Sequence, residues 1–214
     1  MVGQGVLREC LLDSGVEFVL LVGRQTAGVE YPKLREIVHA DMWDYSSIEA
    51  ELTGFDACFF CLGVSAAGLD EPDYAHITYG ITLAAATILS RLNPHMTFIY
   101  VSGAGTDGSG KGRIMWARVK GKTENALLRL PFENAYMFRP GFIEPLHGIR
   151  SRTRAYRIAY TLGKPLLPVL RMLFPRSILT TEQIGRAMLE VARNGAAKQV
   201  LEARDINAAA AASI

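Results

Sequence analysis

The feature that most constrains the fold is a regular alternation of short apolar runs with amphipathic helical segments. Apolar runs of four to eight residues are typical of buried strands, and longer segments with an apolar residue every three or four positions are typical of helices. The predicted strands are residues 17–23, 36–40, 56–63, 96–103, 135–141 and 198–203, and the predicted helices are residues 3–14, 45–53, 73–92, 113–130 and 181–194. This alternation predicts an α/β fold with a doubly wound, mostly parallel sheet.

Length and charge limit the domain count and the class of partner. A chain of 214 residues that is 50% hydrophobic can bury one sizeable core, so we predict a single domain over residues 1–214. The formal net charge of +2 is close to balance and does not favour nucleic acid, so a small molecule is the expected ligand. Residues 158–174 are apolar but are interrupted by prolines and charges, so no integral membrane segment is predicted.

Three cysteines bear on location and metal binding. Cys10, Cys58 and Cys61 are too few for a disulfide framework, and no signal peptide is visible, so a cytoplasmic protein is expected. Cys58 and Cys61 are three residues apart in a predicted strand and therefore face opposite sides of the sheet. We interpret them as buried strand cysteines, with a redox or zinc pair as the alternative, and predict no metal site.

The C-terminal part of the chain contains a predicted helix with clear capping residues and a low-complexity tail. The predicted helix at residues 181–194 has Thr180 or Thr181 as its N-cap, Gln183 to complete a capping box and Gly195 as its C-cap. The last eight residues, "NAAAAASI", are of low complexity and are expected to fray.

The opening stretch "MVGQGVLREC" has a helical pattern with glycines in front but no strand before them. A doubly wound nucleotide-binding fold needs a strand, a glycine-rich turn and a helix whose N-terminus faces the pyrophosphate. Gly3 and Gly5 do not begin a G-x-G-x-x-G motif, because the third position is Arg8. We interpret Gly3 as the last glycine of a turn whose strand and first glycines precede Met1, with plain chain flexibility as the alternative.

Two residues at predicted strand ends could contact a dinucleotide. Arg24 follows the strand at residues 17–23, about 20 residues after Gly3, where the residue that meets the adenosine ribose is expected. Its guanidinium could pair with a 2′-phosphate, which favours NADP over NAD; a solvated arginine is the alternative. Asp41 could accept a hydrogen bond from the adenine amino group, or could only form a turn.

A series of short motifs resembles a known family. They are "GQGVLREC", "LLVGR", "CFFCLGVS", "IYVSGAG", "WARVKGKTE" and "FRPGFIEP". Their order and spacing resemble the short-chain dehydrogenase/reductases, in particular the atypical epimerase/dehydratase-like members with an NAD(P)-binding Rossmann fold, over nearly the whole chain. The resemblance implies that Leu62 and Gly63 lie beside the adenine ribose and that Pro140 and Gly141 also bind the cofactor. It further implies a small helical substrate lobe at about residues 144–180.

The resemblance also implies catalytic positions. In the family, a serine after the fifth strand holds the substrate oxygen, and a Tyr-x-x-x-Lys pair moves the proton while the lysine holds the nicotinamide ribose. Ser102 and Lys120 occupy these positions, but Trp116 stands where the family has tyrosine. An indole N–H donates a hydrogen bond but does not give up its proton, so Trp116 cannot replace the phenol.

Two hypotheses about function remain open. The first is an NADP-dependent oxidoreductase or epimerase-like enzyme whose proton donor comes from elsewhere, with Tyr79, Tyr100 and Asp107 as candidates. The second is a cofactor-binding sensor or scaffold without turnover. A third interpretation assigns no chemistry, with Trp116 packing under the cofactor and Lys120 pointing to solvent.

The expected substrate lobe is basic and then apolar. Arg150, Arg152, Arg154 and Arg157 could meet an acidic substrate or lipid headgroups, or form a solvated face. The apolar residues at 166–174 could line a pocket or a partner surface. The substrate does not follow from this segment, and a homodimer is considered as the assembly.

Overall fold

The computed structural model describes residues 1–149 and 178–213. Most of the expected substrate lobe, including its arginines and its apolar segment, therefore lies outside the described residues.

The described elements alternate between strands and helices along the chain. The helices are α1 (Val2–Leu12), α2 (Glu71–Ala75), α3 (Ile81–Leu92), α4 (Met115–Leu127), α5 (Thr181–Asn194) and α6 (Ala203–Ala212), with a 3-10 helix at Ser46–Leu52 and a π-helical turn at His76–Gly80. The strands are β1 (Val19–Gly23), β2 (Leu34–Val38), β3 (Ala57–Phe60), β4 (Thr97–Val101), β5 (Asn134–Arg139), β6 (Phe142–Glu144), β7 (Ile178–Thr180) and β8 (Val200–Glu202).

Every strand pair in the described residues is parallel. β1 pairs with β2, the strands β3, β4, β5 and β8 form a sheet in that order, and β6 pairs with β7. Within the described chain β1 and β3 are not hydrogen-bonded to each other, so the central sheet is in two parts. The parallel pairing confirms the predicted α/β class, since parallel strands need crossover connections that place helices over the sheet.

Two hydrophobic clusters cover the two faces of the sheet. α1, α5 and α6 pack on one face around Ile99 and Phe138, and the 3-10 helix, α3 and α4 pack on the other around Phe98 and Tyr100. Consecutive residues of β4 contribute to different clusters because side chains alternate across a strand. This arrangement confirms the double winding. Cys61 packs on the first cluster and Cys58 on the second, so the two cysteines lie on opposite faces as predicted.

α1 packs closely against the start of α5, and capping residues define both ends of α5. A Cβ placed on Gly5 would lie 2.6 Å from Thr181 Cβ, so only glycine allows this approach. α5 begins at a capping box in which Thr180 Oγ1 accepts from the Gln183 amide at 3.0 Å, and it ends at Gly195 with φ of 70°. The predicted capping box and C-cap are confirmed, with Thr180 as the N-cap.

The structure corrects several predicted elements. Residues 46–52 form a 3-10 helix rather than an α-helix, and the short strands β6 and β7 were not predicted. Most of the C-terminal segment that was expected to fray lies in α6, which begins at a capping box between Glu202 and Asp205 and buries Ile206 and Ala210. β3 ends at Phe60, so Leu62 and Gly63 lie in the loop after it. No helix of the described part of the chain is long and apolar enough to cross a membrane.

Candidate functional site

The candidate site lies at the carboxyl edge of the parallel sheet. In open parallel sheets, ligands bind outside the carboxyl ends of the strands, because the loops that follow all the strands collect there. Arg24 follows β1, Leu62 follows β3 by one residue, Ser102 follows β4 and Pro140 follows β5. The predicted site residues of four strand ends are therefore on one edge.

Ser102 is held at the end of β4 in a defined orientation. It is 8% exposed, and its N–H donates to the Phe138 carbonyl at 2.8 Å, which continues the pairing of β4 with β5. Its Oγ lies 2.9 Å from Thr106 Oγ1, and Thr106 Oγ1 donates to the Gly103 carbonyl at 2.8 Å. A threonine hydroxyl has one hydrogen, so Ser102 is the donor to Thr106 and keeps its lone pairs for another group.

Lys120 reaches from α4 to the same strand end. Its Nζ lies 3.3 Å from the Ser102 carbonyl oxygen, 3.5 Å from the Val101 carbonyl oxygen and 3.5 Å from the Tyr100 hydroxyl. The side chain therefore does not point into solvent, which contradicts the third interpretation of the sequence. Burial lowers the pKa of Lys120 to about 8, and the charge of Glu124 opposes this shift.

Trp116 lies one helical turn before Lys120, and its ring covers the loop that follows Ser102. A Cβ placed on Gly105 would lie 3.7 Å from Cη2 of Trp116, and one placed on Gly103 would lie 4.0 Å from Cζ3. Residues four apart share a helix face, so Trp116 and Lys120 are neighbours on α4. Trp116 thus lies on the helix face of Lys120, with its ring against the loop that follows Ser102.

The three alternative proton donors differ in their surroundings. Tyr100 is 1% exposed, and burial raises the pKa of its hydroxyl. Tyr79 lies on the π-helical turn with Lys122 Nζ at 4.9 Å above its ring centroid. Hydrogen bonds from the Ser109 hydroxyl and from the Gly112 amide hold the pKa of the Asp107 carboxyl below its ordinary value. Asp107 therefore stabilises its loop as an ionised acceptor.

Several residues predicted to bind the adenosine half are accessible at the edge. Arg24 is exposed. Leu62 is 38% exposed, and a Cβ placed on Gly63 would meet no atom within 4 Å. Asp41 accepts a hydrogen bond from the Trp43 amide at 2.9 Å, which is the turn-forming alternative considered for it.

The remaining predicted cofactor residues lie at the end of β5 and at the start of α1. The Pro140 carbonyl accepts from the Ala104 amide at 3.0 Å, and Gly141 is exposed beside it. Gly3 packs against Cys61, with 3.2 Å between an ideal Cβ on the glycine and the Cβ of the cysteine. The first turn of α1 is therefore next to the chain that leaves β3.

Sequence reasoning missed two sets of residues that shape the site. Thr106 orients Ser102, and its only signal is a hydroxyl residue four positions later in a loop. The carboxylate of Glu124, which is 1% exposed, accepts hydrogen bonds from Arg139 Nε at 3.0 Å and from Arg139 Nη2 at 2.5 Å. These bonds tie α4 to β5. Arg139 also donates to Glu202 at 3.2 Å. The arginine was quoted only as part of "FRPGFIEP", and its partners lie far away in sequence.

Two curated proteins are similar to the chain in sequence. "Protein FMP52-2, mitochondrial" of Scheffersomyces stipitis is 28% identical over 201 residues, which cover 92% of this chain and 83% of the relative. "Protein fmp52-2, mitochondrial" of Aspergillus terreus is 26% identical over 145 residues, which cover 66% of this chain and 62% of the relative. No protein-family model matches the chain. Because both relatives are named mitochondrial, the expectation of a cytoplasmic protein is contradicted.

Solved structures share the fold at low sequence identity. ADP-L-glycero-D-manno-heptose-6-epimerase of Helicobacter pylori has a TM-score of 0.67 at 15% identity and covers 94% of this chain and 73% of its own. A short-chain dehydrogenase/reductase superfamily protein of Agrobacterium tumefaciens with bound NAD has a TM-score of 0.62 at 12% identity, with coverage of 94% and 73%. ElxO with NADPH bound has a TM-score of 0.62 at 12% identity, with coverage of 97% and 94%. The chain therefore has the Rossmann-like fold of the epimerase/dehydratase and short-chain dehydrogenase/reductase proteins.

Proposed function

We propose that this protein binds a nicotinamide dinucleotide, with NADP preferred over NAD, and acts as an oxidoreductase or epimerase-like enzyme on a small molecule. The observation that carries the proposal is the meeting of Ser102 and Lys120 at the carboxyl end of β4, with 3.3 Å between Lys120 Nζ and the Ser102 carbonyl oxygen. A substrate oxygen placed beside Ser102 would lie close to the lysine that is proposed to hold the nicotinamide ribose.

The edge of the sheet also offers a surface suited to the adenosine half of the cofactor. Leu62 and Val64 are 38% and 39% exposed on either side of Gly63, which has open space beside it. Exposed apolar side chains around an open glycine fit a ribose and an adenine ring, which would cover them. The start of α1 near Gly3 is proposed to face the pyrophosphate.

Calorimetric titration with NADPH tests cofactor binding, and Gly63→Val is the informative variant. The added side chain would project into open space, so the fold should be unaffected while the ribose is blocked. We expect the Kd for NADPH to rise about tenfold or more, which corresponds to about 1.4 kcal/mol. Ala50→Val, at an exposed position of the 3-10 helix that precedes β3, is the control and should leave the Kd unchanged. Unchanged affinity in Gly63→Val would contradict the proposed ribose position.

The preference for NADP is assigned to Arg24, which is exposed directly after β1. A charge-assisted hydrogen bond contributes about 1.5 to 3 kcal/mol, so Arg24→Asp should lower the ratio of NADPH to NADH affinity by about 10- to 100-fold. Arg129→Asp makes the same charge change after the C-terminal end of α4 and serves as the control. An unaltered ratio in Arg24→Asp would show that another group reads the 2′-phosphate, or that none does.

A cofactor-binding sensor without turnover is the second candidate, and Trp116 is the observation that favours it. The indole stands four residues before Lys120, where the resemblance implies a phenol, and it cannot supply a proton. Tight NADPH binding without consumption by any aldehyde or ketone would support the sensor, and steady consumption would support the enzyme.

A mitochondrial location is proposed from the names of the two curated relatives. Fractionation of cells that express the tagged protein at its native level, with matrix and cytosolic markers, tests this directly. Recovery of the protein with the cytosolic marker alone would contradict it.

A further inference from the structure

Three side chains lie at the end of β4 and on the facing turn of α4: Ser102, Trp116 and Lys120. Ser102 donates its only hydroxyl hydrogen to Thr106, because the hydrogen of Thr106 goes to the Gly103 carbonyl at 2.8 Å. Ser102 can therefore accept a hydrogen bond but has no hydrogen left to donate. Trp116 can donate through its indole N–H but does not release that proton. The capacity to give and take a proton is left to Lys120.

The direct contacts of the Lys120 ammonium are to uncharged groups. Its Nζ lies within 3.5 Å of the Tyr100 hydroxyl and of two backbone carbonyl oxygens, and it forms no ion pair within the described residues. The titratable groups nearby are Tyr100 of β4 and Glu124 on α4 itself. Tyr74 of α2 acts less directly, because it raises the pKa of Tyr100. The Glu124 carboxylate is paired with Arg139 at 3.0 and 2.5 Å, and its charge only partly offsets the effect of burial on the pKa of Lys120.

We propose that Lys120 is itself the proton donor and acceptor of this site, in place of the phenol that Trp116 replaces. Ser102, oriented by Thr106, accepts a hydrogen bond from the substrate hydroxyl, so the substrate class is a secondary or primary alcohol and its carbonyl counterpart. This inference rests on the proposed function, because the hydride partner is the nicotinamide cofactor.

In carbonyl reduction, the Lys120 ammonium would give a proton to the substrate oxygen, and the π pair of the C=O bond would form the new O–H bond. A bound reduced nicotinamide would supply the hydride that the carbonyl carbon gains and would itself be oxidised. Neutral Lys120 then regains a proton from water. A pKa of about 8, lowered by burial, populates both states of the amine near neutral pH, which suits a general acid and base.

Competitive acetylation of the free protein tests the availability of the amine without any cofactor. The protein is treated with trace acetic anhydride together with N-α-acetyl-lysine as an internal standard, and each lysine is quantified by peptide mass spectrometry. We expect half-maximal labelling of Lys120 at about pH 8, against about pH 10.4 for the standard. Lys122→Met, at an exposed position of the same helix, should leave the Lys120 profile unchanged. A Lys120 that titrates with the standard, or that is never labelled, overturns the proposal.

Turnover measurements test whether Lys120 transfers its proton to the substrate. NADPH consumption is followed with a panel of aldehydes and ketones at saturating cofactor, as set by calorimetry for each variant. Lys120→Arg keeps the charge but holds its proton too tightly, so we expect a rate at least about 10²-fold lower, while Lys122→Arg keeps the full rate. Equal rates for Lys120→Arg and the unsubstituted protein overturn the proposal. NADPH binding without any consumption also overturns it, but leaves the cofactor-binding function intact.

Discussion

The residue one helical turn before Lys120 limits the chemistry at this edge of the sheet. Trp116 presents a flat ring to the backbone at Gly103 and Gly105. A phenol titrates and can exchange its proton, whereas an indole only donates a hydrogen bond. The candidate site therefore has a hydroxyl at Ser102 and an ammonium at Lys120, with an indole rather than a phenol one turn before the lysine.

Restoring the phenol should increase turnover. In Trp116→Tyr, the new hydroxyl would share a helix face with Lys120, and the nearby ammonium would lower its pKa from about 10. We expect NADPH consumption with simple ketones and aldehydes to rise by a factor on the order of 10². Trp116→Phe, which keeps a ring but has no hydroxyl, is the matched control. A similar gain in Trp116→Phe would show that space, rather than proton transfer, was limiting.

At the element scale, the site depends on how α4 seats against the loop that follows β4. The Asp107 amide donates to the Ala117 carbonyl at 3.0 Å, and any Cβ on Gly121 would overlap the Asp107 carbonyl. The pair between Arg139 and Glu124 ties the other side of α4 to β5. These contacts place Lys120 beside Ser102, so the position of the helix and the geometry of the site change together.

Gly121→Ala should therefore damage both stability and the site. The methyl group would collide with backbone rather than with a flexible side chain, so α4 or the loop must move. Overpacking of this kind costs about 3 kcal/mol or more, which for a chain of this size lowers Tm by about 6 to 12 °C. Gly63→Ala, where the added Cβ meets no atom within 4 Å, is the control for a thermal melt. Equal Tm values for the two variants would contradict close packing of α4 against the Asp107 backbone.

Elements with strong local signals could be predicted from the sequence, and those that depend on distant partners could not. β4 at Thr97–Val101 falls within the predicted strand, and the capping box of α5 follows from four adjacent positions. α6 was missed because an alanine-rich stretch has a weak apolar pattern, and its helix is stabilised by burying Ile206 and Ala210 in the core. The Arg139 pair and the Thr106 contact were missed because they require knowing which loops and strands meet.

Charge pairs join distant parts of the whole molecule and set its response to acid. A hydrogen bond from Arg193 of α5 holds the pKa of Asp13, after α1, below its ordinary value, and one from His147 does the same for Glu182. Folded carboxyls with lowered pKa values bind fewer protons than unfolded ones near pH 4. Their contribution to the free energy of unfolding is present above that pH and is lost as pH falls through the folded pKa values.

Lys120 should make stability rise with pH in the alkaline range as well, but as a group that destabilises the fold when it is charged, and this can be measured as a difference in stability. Its pKa of about 8 in the folded protein lies below the ordinary 10.5, so between these values the unfolded chain binds more protons and the free energy of unfolding rises with pH. Below pH 8 the folded protein must bury a charged ammonium, which lowers the free energy of unfolding. Lys120→Met removes this destabilisation. We expect Lys120→Met to be more stable at pH 7 by about 1 to 3 kcal/mol, with the difference shrinking as pH approaches about 10.5. Denaturant unfolding of both proteins across this range checks it, with Lys122→Met as the control, and a difference independent of pH would assign the effect to packing rather than to charge.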